Sequence, residues 1–131
     1  MFKGCTSLVT APKLNSLSLA YNCYFGMFRG CTSLTSAPEL PAIHLRDNCY
    51  ARMFEGCTAL STAPELPATK LSINCYVMMF KNCTNLVEAP TLPAKETIPG
   101  CYENMFEGCS KLNKIKVYLR NWGQSDTFRW L

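Results

Sequence analysis

The sequence predicts an α/β solenoid of about five stacked coils, each holding a short parallel strand and a short helix. Three observations point there. The first is strict repetition: Met1-Phe-Lys-Gly-Cys, Met27-Phe-Arg-Gly-Cys, Met53-Phe-Glu-Gly-Cys, Met79-Phe-Lys-Asn-Cys and Met105-Phe-Glu-Gly-Cys recur every 26 residues without insertion or deletion. A fixed period of roughly 20–50 residues is the signature of a stacked repeat. The second is an arc of apolar residues at three-residue steps, Cys31, Leu34, Ala37 and Leu40, followed by Pro41-Ala42. The third is a stripe at i, i+4, i+8 formed by Leu45, Cys49 and Met53, with Phe54 beside it.

The elements of one coil follow in order. Leu34-Thr-Ser-Ala-Pro-Glu-Leu40 resembles the L-x-x-L-x-L arc of a leucine-rich repeat, where a short strand pairs in parallel with its equivalent one coil away. Pro12, Pro38, Pro64 and Pro90 form a column, and because proline lacks an amide donor the predicted strands stay narrow. The stripe from Leu45 to Phe54 predicts a helix of about two and a half turns, too short to persist without packing. Gly56 stands where such a helix would stop, and Pro99 stands where its fourth-coil equivalent would begin. Stacking would bring Cys31, Leu34, Ala37, Leu40, Cys49, Met53, Phe54 and Cys57 into one continuous core.

The whole chain reads as a single domain over 1–131, with repeats starting at Met1, Met27, Met53, Met79 and Met105 and a terminal cap over 111–131. Its 131 residues and 48% hydrophobic content are ordinary for a packed soluble domain. No run approaches the ~18 apolar residues of a membrane span, and the N-terminus lacks the layout of a secretory signal. Residues 1–110 carry eight basic and eight acidic side chains. The positive excess lies beyond Ser110, in Lys111, Lys114, Lys116, Arg120 and Arg129 against Asp126. No basic stripe runs along the repeats, so a nucleic-acid partner is not expected.

The pattern Cys-x-x-Leu-x-x-Ala/Ile…Leu-Pro…Leu…Met-Phe-x-Gly-Cys is similar to the BspA-like class of bacterial leucine-rich repeats. It covers about residues 1–119 in a slightly longer unit, with Cys49 and Met53 standing where the family has Ile and Ala. The resemblance implies a surface-exposed or secreted adhesion module that binds a protein partner, with no catalytic residue to carry over.

Nine cysteines alternate at gaps of 18 and 8: Cys5, Cys23, Cys31, Cys49, Cys57, Cys75, Cys83, Cys101 and Cys109. The odd number leaves at least one unpaired, and both columns occupy core positions of the repeat. The pattern favours reduced, buried ladders, since free cysteine packs as a small hydrophobe. Disulfides are the alternative in an oxidising compartment. With no C-x-x-C pair and His44 as the only histidine, no metal site or cofactor is expected. His44 falls in a variable column with Ser18, Lys70 and Glu96 and is expected to face solvent. Tyr24, Tyr50, Tyr76 and Tyr102 form a further column, expected to pack between coils or else to make an exposed aromatic strip.

Partner contacts are expected on columns that do not repeat. Thr10, Ser36, Thr62, Glu88 and Lys114 lie beside the Ala column, with Lys116 and Arg120 extending the same edge. Lys13, Glu39, Glu65 and Thr91 lie one step beyond the prolines. After Leu112 the chain alternates through Lys114-Ile-Lys-Val-Tyr-Leu119, a final strand over which Trp122, Phe128 and Trp130 are expected to fold as a cap. The first coil begins abruptly at Met1, which predicts either a longer parent chain or self-association through that open end. The favoured function is a non-catalytic protein-binding or adhesion module. The second is a small intracellular inhibitor or effector, of mobile-element type, that blocks one target protein. No acid/base pair, nucleophile constellation or phosphate loop argues for an enzyme.

Overall fold

The computed structural model describes residues 1–121, 127 and 129. The expected cap side chains Trp122, Phe128 and Trp130 lie outside the described residues.

The 26-residue period governs the structure, but the coil is not built from a strand and a helix. Among the described residues there is no helix. Parallel pairing is reduced to single bridges linking Thr10, Ser36, Thr62, Glu88 and Lys114 in succession, with two more at Ser18–His44 and Leu92–Val117. The α/β leucine-rich-repeat architecture expected from the sequence is therefore replaced by a stack of irregular coils held by ladders.

In place of a helix each coil carries a ribbon of consecutive tight turns, seen clearly over 46–57. Here alternate amides act differently. The amides of Cys49, Ala51, Met53, Glu55 and Cys57 close local turns onto the carbonyls of Arg46, Asn48, Tyr50, Arg52 and Phe54 at 3.0–3.2 Å. The amides between them leave the coil: Asn48 donates to Ile73, Tyr50 to Cys75, Arg52 to Val77, Phe54 to Met79 and Gly56 to Lys81, at 2.8–3.1 Å. An α-helix would send all of these amides back four residues. This ribbon sends half of them back three residues and the other half 25 residues forward, so its backbone is satisfied only when coils stack.

The reason lies in every fourth residue. Asn48, Arg52 and Gly56 have φ of 56°, 56° and 74°, and their equivalents Asn22, Gly26, Gly30, Asn74, Met78, Asn82, Gly100, Asn104 and Gly108 share the left-handed conformation. Ten of these twelve are Asn or Gly, the residues that occupy this region at least cost. A left-handed residue at every fourth position cannot be accommodated in a right-handed helix. The apolar positions repeat every four residues, close enough to 3.6 to resemble a helical stripe.

The strand expectation fails for a related reason. Pro38, Pro64 and Pro90, two residues after the bridging column, remove the amides that would extend each bridge into a ladder. The last coil also slips by one residue: Leu92 pairs with Val117, and Arg120 donates to the Lys95 carbonyl at 2.9 Å, both 25 residues apart. The slip lets Ile115, Val117 and Leu119 alternate inward at half-buried positions while Lys114, Lys116, Tyr118 and Arg120 stay exposed.

Ladders fill the interior. Phe2, Phe28, Phe54, Phe80 and Phe106 stack with centroids 5.6–5.8 Å apart and rings within 9° of parallel. Tyr24, Tyr50, Tyr76 and Tyr102 stack at 5.9 Å. Tyr50, Tyr76 and Tyr102 are buried, so this column packs between coils and forms no exposed strip. Cys31, Leu34, Leu40, Cys49, Met53, Phe54 and Cys57 are buried, and Ala37 is half-buried against them. No helix of the described residues is long and apolar enough to cross a membrane.

Candidate binding surface

The thiols are mostly inside, and the structure shows what holds them there. All nine cysteines are free; seven are buried, while Cys5 and Cys23 on the first coil are exposed. The thiols of Cys31, Cys57, Cys83 and Cys109 donate to the carbonyls of Phe2, Phe28, Phe54 and Phe80 in the preceding coil at 3.0–3.1 Å. Each such thiol thus ties one coil to the last while satisfying a carbonyl of the turn ribbon. Burial pushes the Cys49 and Cys109 thiols up to about 11 and Cys57 to about 12. Cys75 and Cys83 are raised well above their ordinary value by the same desolvation. Buried thiols held protonated are poor nucleophiles and poor ligands. No group of three or more His, Cys, Asp or Glu among the described residues is placed to hold a metal ion.

Outside, the structure brings the expected surface residues into register. Thr10, Ser36, Thr62, Glu88 and Lys114 form one exposed column, joined bridge to bridge through the backbone. Their side chains therefore rise from a shared rigid edge at the coil spacing, about 4.8 Å for paired parallel strands. At its far end Lys114 pairs with Glu88 at 3.4 Å, both side chains exposed, a contact that contributes little to stability. Lys116 and Arg120 are exposed on the last coil, and the Lys116 ammonium lies 5.3 Å from the Tyr118 ring centroid. The Tyr118 hydroxyl beside it holds Lys116 above its ordinary value. His44 is exposed and bridged to Ser18.

Two features were not foreseen from the sequence. The first is a charged column at the variable position of the Met-Phe-x-Gly-Cys box: Lys3, Arg29, Glu55, Lys81 and Glu107. Arg29 meets Glu55 at 3.0 Å, Arg52 meets the same carboxylate at 3.7 Å, and Lys81 meets Glu107 at 3.0 Å. The alternation of sign from Arg29 to Glu107 was the available signal.

The second is a groove of about 320 Å³ between the second and third coils. Pro38, Pro41, Pro64 and Pro67 supply its walls with Ala37 and Leu40, and Glu39 and Glu65 stand at its margin. A smaller hollow of about 170 Å³, lined by Pro12, Lys13 and Leu14 among others, continues it toward the first coil and shares Pro38 and Glu39. The signal was the second proline column, Pro41, Pro67 and Pro93, which brackets a single leucine with the first.

Compared with known proteins, the chain matches no family model, no curated protein and no solved structure. The reading of its surface therefore rests on its own geometry.

Proposed function

We propose that the protein is a non-catalytic binding module that presents its non-repeating exposed columns to a protein partner. The observation that carries this reading is the backbone-bridged column Thr10–Ser36–Thr62–Glu88–Lys114, five exposed side chains of four kinds fixed in register on a rigid stack. Rigid presentation lowers the ordering cost of forming an interface. The repeated residues are committed to ladders, which leaves recognition to the positions that vary. Reactive groups support the same division, since seven of the thiols are enclosed and serve as packing.

The test is selection of binders to the intact chain from a displayed library of small protein domains, followed by rebinding to variants. The triple variant Glu88→Lys, Lys114→Glu, Lys116→Glu should lose most selected binders, whereas Lys70→Glu in another exposed column should keep them. Binders that tolerate the triple variant as well as Lys70→Glu would count against this face.

A further inference from the structure

We propose that the proline-lined groove between the second and third coils is a subsite for a positively charged peptide segment carrying an aromatic side chain between two cations. This rests on the protein-binding reading above and specifies the chemistry of the ligand.

Three observations support it. The groove wall is apolar and rigid, because Pro38, Pro41, Pro64 and Pro67 have fixed φ; Pro38 and Pro64 are buried and back the wall, while Pro41 and Pro67 are the accessible rings. Its volume of about 320 Å³ suits one or two side chains and lies at the small end of the ~300–1,000 Å³ range of ligand pockets. The same four prolines remove four amide donors from the wall. The polar side chains at its margin are the carboxylates of Glu39 and Glu65, which accept, so the complementary ligand is rich in donors, as Lys and Arg are.

The charge pattern points the same way. Three pairs of stacked neighbours of opposite sign meet elsewhere on the surface: Arg29 with Glu55, Lys81 with Glu107, Glu88 with Lys114. Glu39 and Glu65 are stacked neighbours of like sign. They occupy one column, one coil apart, are both exposed, and make no ion pair among the described residues. A cation beside each carboxylate pairs with it, and an aromatic ring between the two cations fills the apolar hollow. Lys13 continues the column beyond Glu39, so of the two carboxylates Glu65 is the one farther along the stack from that lysine.

The experiment is an NMR titration of the full chain with three capped tripeptides: acetyl-Arg-Trp-Arg-amide, acetyl-Glu-Trp-Glu-amide and acetyl-Arg-Gly-Arg-amide. The first should bind saturably and shift resonances of Ala37–Pro41 and Pro64–Pro67, while the other two bind at least several-fold more weakly. The double variant Glu39→Gln, Glu65→Gln replaces exposed side chains and should leave the near-ultraviolet signature of the Tyr ladder unchanged. It should weaken Arg-Trp-Arg about three- to tenfold, the scale of two exposed ion pairs. Raising the salt from about 50 to about 500 mM should weaken it in the same direction. Equal binding of Glu-Trp-Glu, no saturable binding of Arg-Trp-Arg, or indifference to the double variant would each overturn the proposal. If library-selected domains still depend on Glu88, Lys114 and Lys116 in that case, the groove assignment falls while the binding-module reading stands. If they do not, both fall.

Discussion

Gly26→Ala separates the turn ribbon from a helix by the sign of its effect. Gly26 has a φ of 57°, and its amide donates to the Ala51 carbonyl at 2.9 Å. An added Cβ would find only the Arg29 Cβ within 4 Å, at 3.9 Å, so no clash contributes. What remains is conformational. A left-handed alanine costs about 1–2 kcal/mol relative to glycine, and the stiffer unfolded chain returns about 0.4–1 kcal/mol. The net expectation is a loss of about 1 kcal/mol. In a helix the same substitution would gain about 1 kcal/mol. Urea unfolding followed by tyrosine and tryptophan fluorescence reads the difference. With a slope of about 2 kcal/mol/M the midpoint should fall by about 0.5 M at unchanged slope. Gly30→Ala, with a φ of 73° and ordinary contacts to Gly4 at 3.8–3.9 Å, should move the same way. A raised midpoint for either would refute the ribbon.

Three further outcomes follow from the core. Native protein should react rapidly with a thiol reagent at Cys5 and Cys23 and slowly at the seven buried cysteines, with nine reactive after denaturation in the absence of reductant; a native count near nine would contradict the packed ladders. Stability should also fall in alkali. Thiols whose folded value is raised from 9.0 to about 11 (Cys49, Cys109) or about 12 (Cys57) favour the fold fully below pH 9, and that contribution is lost as pH rises through 9 to 12. At pH 10 each of Cys49 and Cys57 should cost on the order of 1 kcal/mol relative to pH 8, and the less enclosed Cys109 less, visible as a lower urea midpoint; a flat profile would contradict the burial. Phe54→Ala, in the middle of the stacked phenylalanines, should cost about 3–5 kcal/mol by the same assay, and a loss below about 1 kcal/mol would mean that the ladder does not carry the core.

The sequence made the period, the ladders and their contents legible, because stacking a strict repeat places like residues over like. Leu34, Cys49, Met53, Phe54 and Cys57 occupy the core for that reason. What misled was the interval between apolar residues. Spacings of four fit a helix and a chain of turns equally well, and the deciding residues are polar: Asn48, Arg52 and Gly56 sit four apart, as do Asn22, Gly26 and Gly30. Arg52 and Met78 blur that signal, since neither favours a positive φ. The predicted strand failed because Pro38 follows the bridging Ser36 so closely that one bridge is all the backbone can make. On the surface, the column from Thr10 to Lys114 was readable as variation within a repeat. The proline groove was not, because it arises from two proline columns on adjacent coils whose meeting depends on an unforeseen backbone path.

The Met-Phe-x-Gly-Cys boxes are turn ribbons bonded across coils, which makes them scaffold and leaves recognition to other columns. Scalar couplings through hydrogen bonds, measured by NMR on isotope-labelled protein, test it most directly. Coupling is expected from the Phe54 amide nitrogen to the Met79 carbonyl carbon, and from Tyr50 to Cys75, with the Met53 amide coupled to Tyr50. Coupling of the Phe54 amide to the carbonyl of Tyr50, four residues back, would restore the helix and contradict the turn ribbon.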